Sequence, residues 1–165
     1  MAEVYISLGS NIDREALTRA GVSALRQRFG ELQLSSVYES EAVGFKGENF
    51  YNMVIVLHTD EDVWPLAQAL RQIEDEHGRD RSGPKFSSRT LDLDLLLYDD
   101  LIINENNLQI PRDEILERAF VLWPMAEVAP DLLHPVVKQS YSQLWQAFDK
   151  SKEKLEPVEF DLTQP

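Results

Sequence analysis

Between Val4 and Tyr98 the spacing of apolar residues switches from strand-like alternation to a helical repeat and back, twice, and that order restricts the fold more than any other feature of the chain. "VYISL" alternates as a strand, and a helix is expected from about Asp13 to Phe29, with Asn11 or Asp13 as candidate N-cap and Gly30 as its stop. "LQLSSVYES" and "FYNMVIVLHT" read as the second and third strands. Asp60 or Asp62 then caps a helix with Pro65 in its first turn, Leu66, Leu70 and Ile73 on one face, and Gly78 at its end. "LDLDLLLY" supplies the last strand. The resulting order, β-α-β-β-α-β, is the ferredoxin-like split βαβ arrangement of an α+β chain, a largely antiparallel sheet with helices expected on one face. Beyond Asp99 a less regular segment holds "LQIP", a short helix near 112–119, the apolar "FVLWPMAEVAP" and a last helix over roughly 140–149. This is a C-terminal helical extension, with "VEFDL" as a candidate edge strand. No repeat, low-complexity tract or linker interrupts the 165 residues, so a single domain spanning 1–165 is expected.

The last core strand poses a chemical question. Side chains alternate faces along a strand, so Asp92 and Asp94 point the same way with Cα atoms about 6.6 Å apart. Leu91, Leu93, Leu95 and Leu97 share the opposite face, while Thr90, Leu96 and Tyr98 extend the aspartate face. Aspartate is a poor strand former, and two carboxylates on one face repel. A cation between them removes that repulsion; a solvated outer face is the plainer alternative.

Charge narrows the possible partners. The net charge of −13 opposes general nucleic-acid binding. No apolar run approaches the ~18 residues of a membrane-spanning helix, and "MAEVYISLGS" carries no secretory pattern. There are no cysteines, which removes disulfides and thiolate metal sites, and a cytoplasmic protein is expected. His58, His77 and His134 lack metal-ligand spacing and read as structural or exposed. Against this acidic background, "RDRSGPKFSSR" concentrates Arg79, Arg81, Lys85 and Arg89 and runs directly into the aspartate strand. An anion site beside a cation site suits a metal–polyphosphate ligand; a basic solvated loop is the alternative. "GRDRSGPK" imitates a Walker A loop but fails as one, because Pro84 lacks an N–H, Phe86 replaces the hydroxyl residue, and the loop joins a helix to a strand rather than the reverse. "SEAVGFKGEN", between the second and third strands, is a second candidate binding loop.

"RTLDLDLLLY", followed by "IP…RAFVLWPMAEVAP" and preceded by "YISLGSNI" and "YES…VG…FYN", resembles the 6-hydroxymethyl-7,8-dihydropterin pyrophosphokinases over roughly residues 3 to 147. The resemblance implies transfer of pyrophosphate from ATP, the co-substrate, to a pterin hydroxymethyl oxygen, with release of AMP, in folate biosynthesis. It implies that Asp92 and Asp94 bind two Mg²⁺ ions and that Arg79, Arg81 and Arg89 contact the phosphates as catalytic groups. Arg71, Glu74, Leu95, Arg112 and Arg118 are then expected at the nucleotide. Phe50 and Phe120 are expected to stack on the pterin, Asn52 and groups around Ser40, Ala42 and Val43 to read its edge, and Phe86 to cover it beside Asp92. "GSN" at Gly9 to Asn11 reads as turn and helix cap. Closure of the loop at 79–89 over both substrates is expected, as are small-molecule partners only and a monomer.

The chain departs from the family pattern at Phe86, where tryptophan is usual, at Ser87-Ser88 before Arg89, and at Arg112-Asp113, which replace a His-Tyr pair. Two other readings remain. One is a catalytically weak pterin- or nucleotide-binding relative. The other is an RNA-binding module of the RRM type, which shares the element order but needs an aromatic, basic third strand that "FYNMVIVLHTDED" does not provide.

Overall fold

The computed structural model describes residues 1–41, 47–78 and 90–162. The core elements follow in the expected order: β1 (Ala2–Ser10), α1 (Arg14–Phe29), β2 (Gln33–Leu34), β3 (Val37–Ser40), β4 (Phe50–Thr59), α2 (Val63–Glu76) and β5 (Asp92–Tyr98). The extension adds a hairpin of β6 (Ile103–Glu105) and β7 (Leu108–Ile110). Helices α3 (Glu114–Glu117), α4 (Ala119–Val128) and α5 (Tyr141–Ala147) come next, then a 3₁₀ turn at Lys150–Lys152 and β8 (Leu155–Val158). The main sheet runs β5-β1-β4-β3-β8 with β2 beside β4, and every pairing in it is antiparallel. The ferredoxin-like α+β expectation therefore holds, with β8 added to one edge.

Alternation along the strands builds two cores. Val4, Ile6 and Leu8 of β1 and Met53, Ile55 and Leu57 of β4 pack with Val22 and Leu25 of α1 and Leu66, Leu70 and Ile73 of α2. Gly21 lets α1 lie close on this face, since a Cβ there would stand 2.9 Å from Leu8 and Leu91 side-chain carbons. The intervening residues Tyr5, Val54 and Val56 meet Ile115, Val121, Leu122, Met125 and Tyr141 of the later helices. Helices thus cover both faces rather than the one expected, because β1 and β4 are apolar on both sides.

Four local expectations are corrected. The second strand is split: Ser35 Oγ accepts the Val54 N–H (2.9 Å), and one extra residue shifts the register with β4 between β2 and β3. The register of β1 with β5 also shifts, because Ile6 faces Leu95 while Tyr5 faces Leu97. Leu97 is thereby turned away from Leu91, Leu93 and Leu95 into the second core, and Tyr98 is turned to the first. The "FVLWPMAEVAP" segment is helical in α4, and the edge strand forms at Leu155–Val158, ahead of most of "VEFDL". Finally, Asp13 at the start of α1 lies in the left-handed region (φ 47°) without a side-chain capping bond. Asn11 instead donates through Nδ2 to the Glu48 carbonyl (3.0 Å).

Candidate active site

The register of three strands positions the site. Gly9 of β1 pairs with Asn52 of β4 on one side and Asp92 of β5 on the other. Directly paired residues share a face at about 4.5–5.5 Å per strand, so the amide and the first carboxylate sit about 10 Å apart over a glycine without a side chain. A Cβ at Gly9 would approach Asn52 Oδ1 to 3.3 Å and Phe50 Cδ1 to 3.7 Å. Gly9 is therefore the floor between the two groups, not a turn residue, and neither its glycine identity nor its neighbours are readable without the pairing. Asp94 lies two residues along the same face, in the row of Ser7 and Val54.

Asn52 is buried, and its Nδ2 donates to Ser40 Oγ at 2.7 Å, which fixes the amide plane. Ser40 pairs with Phe50, which is half-buried at the start of β4. Phe120 is half-buried near the start of α4 and packs against the second core. That helix is tied to β3 by Glu127, whose carboxylate accepts the Ser36 N–H (3.0 Å), the Ser36 hydroxyl (2.9 Å) and the Tyr38 hydroxyl (2.6 Å). Burial and this hydrogen bond together raise the Tyr38 pKa. Trp123 adds a ring contact with Tyr38 at 4.8 Å. Sequence reading did not find Glu127, although its spacing of seven from Phe120 puts both on one helical face.

At the other end, Asp94 keeps about a fifth of its side chain exposed (22%), and Arg112 Nη2 lies 3.5 Å from its Oδ1. Arg112 Nε also donates to Glu114 Oε1 at 2.8 Å. Burial, then the neighbouring charge of Asp92, holds the Asp94 carboxyl well above the usual range, with Arg112 opposing. Such a pair is under electrostatic strain that a hard cation relieves. Among the described residues no group of three or more His, Asp or Glu side chains converges as a metal cage. Two carboxylates, completed by water and phosphate oxygens, are what Mg²⁺ commonly takes beside a nucleotide, so the donor set fits it.

Glu74 is buried, and its Oε2 accepts the Leu93 N–H at 2.8 Å, an amide between the two aspartates that points off the open edge of β5. Arg71 is exposed on α2, and Arg118 is half-buried at the N-cap of α4. Leu95, expected at the nucleotide, turns its side chain into the core with α1 and α2, on the face away from the aspartates. The structure therefore brings together Asp92, Asp94, Arg112 and Glu114, and separately Ser40, Asn52 and Phe50. Arg79, Arg81, Phe86 and Arg89, with Ala42 and Val43, lie outside the described residues, as does the expected closure of the loop at 79–89.

A paired carboxylate on an antiparallel sheet, beside an amide held flat on the same face, is the equipment of a metal-assisted phosphoryl-group transferase acting on a small polar substrate. Residues 5–130 match the family described as 7,8-dihydro-6-hydroxymethylpterin-pyrophosphokinase (HPPK), and the chain belongs to that family. It is 33% identical over 141 residues to the 2-amino-4-hydroxy-6-hydroxymethyldihydropteridine pyrophosphokinase of Aquifex aeolicus, covering 84% of this chain and 88% of the relative. The Bacillus subtilis protein of that name is 39% identical over 128 residues, covering 75% and 76%. Among solved structures, one titled as HPPK-DHPS in complex with substrates superposes with a TM-score of 0.71 at 12% identity. The match covers 88% of this chain and 43% of that longer one, and it supports the fold alone. As a member of the family the chain is an ATP-dependent diphosphokinase of folate biosynthesis, transferring pyrophosphate from ATP to hydroxymethyldihydropterin.

Proposed function

We propose that this reaction is run on the β1–β4–β5 face, with the pterin over Gly9 between Asn52 and Asp92 and the triphosphate beyond Asp92 and Asp94. The observation that carries the reading is the register row Asp92–Gly9–Asn52, which sets a carboxylate and a fixed amide on one face with an open floor between them. Asn52 offers an acceptor and a remaining donor proton to a heterocycle edge, and Phe50 and Phe120 are the rings available to stack on it. Asp92 and Asp94 are the residues that would hold Mg²⁺, in two ions, and the metal would supply charge neutralisation to the triphosphate. In the transfer the hydroxymethyl oxygen bonds to the β-phosphorus, the bond from that phosphorus to the α–β bridging oxygen breaks, and AMP leaves with that oxygen. The hydroxyl proton departs to solvent or to a carboxylate facing it. Positioning and charge supply most of such catalysis, so no histidine base is required. Arg79, Arg81 and Arg89 are assigned to the phosphates, as are Arg71, Arg112 and Arg118, because guanidinium groups bind phosphate oxygens in pairs.

We read the chain as one domain acting as a cytoplasmic monomer on small molecules; among the described residues no helix is long and apolar enough to cross a membrane. The test of the site is AMP release from ATP and the dihydropterin. Asp92→Ala and Asp94→Ala are expected to lose at least about a hundredfold in kcat, with folded circular dichroism spectra retained. Wild-type-like turnover in the double variant would remove the carboxylate pair from the mechanism.

A further inference from the structure

Arg112 has surroundings that a phosphate contact alone does not explain. It follows Pro111 at the end of β7, and its N–H donates to the Leu96 carbonyl of β5 at 3.1 Å, so its backbone is fastened to the aspartate strand. Its side chain is only a third exposed. The guanidinium lies between Asp94, at 3.5 Å, and Glu114, at 2.8 Å, with Asp92 two residues from Asp94 on the same face. Among the described residues, this guanidinium faces the carboxylates of Asp94 and Glu114, with that of Asp92 close by. An arginine cannot give up its charge in the physiological range, so this positive charge is permanent.

We propose that Arg112 is a resident counter-cation of the aspartate pair and sets how tightly that pair takes a divalent ion. The inference rests on reading Asp92 and Asp94 as the metal site. In the metal-free protein the guanidinium stands 3.5 Å from Asp94 Oδ1 and orients that carboxyl; an arriving ion meets a ligand already engaged and a like charge beside it. The metal is therefore taken up weakly alone and well only with a nucleotide, whose phosphates supply negative charge for both cations. Glu114 holds the guanidinium by Nε, which leaves its Nη atoms facing Asp94. A lysine at 112 would keep the charge but lose this two-sided grip.

The experiment is titration of the nucleotide-free full chain with Mn²⁺, followed by the loss of its free-ion paramagnetic resonance signal. Arg112→Gln and Arg112→Met, two neutral replacements of different polarity, are each expected to tighten Mn²⁺ binding by about tenfold at low salt, since a unit charge a few ångströms from the ion is removed. Arg112→Lys is expected to bind as weakly as the wild type. Unchanged or weaker binding in whichever neutral variant folds, or equal tightening by the lysine variant, overturns the proposal. Asp94→Asn is the control for its foundation. Loss of Mn²⁺ binding supports the metal site, and undiminished binding refutes that site itself, whatever the Arg112 variants do.

Discussion

Asp94 shows at the scale of one residue how a functional site costs stability. Its carboxyl is held above the ordinary range by burial and by Asp92, so the folded state binds its proton more tightly than the unfolded state does. For an acid shifted upward, stability declines as pH rises from the unfolded value of about 3.9 through the raised one, and the penalty is complete above it. In metal-free protein at pH 7.5, Asp94→Asn should therefore raise Tm, by about 2–4 °C if ~1 kcal/mol is recovered. Mg²⁺ added together with ATP should then stabilise the wild type more than the variant. A lower Tm for the variant in differential scanning fluorimetry contradicts the charge argument. Gly9 makes the complementary case. Ala at 9 improves strand propensity but sets a methyl 3.3 Å from Asn52 Oδ1, on the floor of the site. Calorimetry on Gly9→Ala should show pterin affinity down by about tenfold, the equivalent of 1.4 kcal/mol, with nucleotide affinity and Tm held. The aspartate pair was legible in the sequence because alternation is a local rule. Gly9 was not, since its neighbours come from residues more than forty positions away.

At the scale of elements, the six core elements were readable from their periods, and the misreadings share one cause, the interruption of a period. Leu96 is an extra residue in β5, so Leu97 falls into the second core against simple alternation. α4 is apolar at every position except Glu127 and holds Pro124 in its interior, where the ring removes the N–H that would meet the Phe120 carbonyl; neither a broad polar face nor an unbroken pattern announces it. The β6–β7 hairpin did carry a signal, since Asn106 and Asn107 both take positive φ (50° and 65°), the conformation a two-residue hairpin loop demands. What fixes α4 against β3 is Glu127, through Ser36 and Tyr38. Because Glu127 is exposed to water, Glu127→Ala should cost no more than about 1 kcal/mol rather than the larger figure for fully buried charged hydrogen bonds. Urea unfolding measures it. Glu127→Gln should recover part of the loss, because its carbonyl oxygen still accepts from the serine or the tyrosine. No change in either variant would mean that packing of Trp123 on Tyr38 alone holds the helix.

For the whole molecule, an open antiparallel sheet has two edges, and an unprotected edge invites pairing with another chain. Here each edge is closed by a different device. On β5 the outward Leu93 N–H is taken by the buried Glu74 carboxylate, so the strand that carries Asp92 and Asp94 offers one fewer donor to a neighbour. On the other side β8 covers β3, pairing Val37 with Val158, Tyr38 with Pro157 and Ser40 with Leu155. As the outermost strand of the sheet among the described residues, β8 carries Pro157, which has no N–H to offer, and an exposed Glu156. Among the described residues the last strand is thus a guard for β3, the strand that leads to Ser40 and its hydrogen bond from Asn52. Removing residues 150–165 should leave a folded protein with a bare β3 edge. Sedimentation velocity should then show concentration-dependent association in the shortened chain beyond any shown by the full chain. Pro157→Thr, which restores an edge donor without removing the strand, should associate to a smaller extent while keeping the wild-type Tm. If the shortened chain does not associate up to millimolar concentration, the net charge of −13 is sufficient protection by itself, and β8 serves only to stiffen β3.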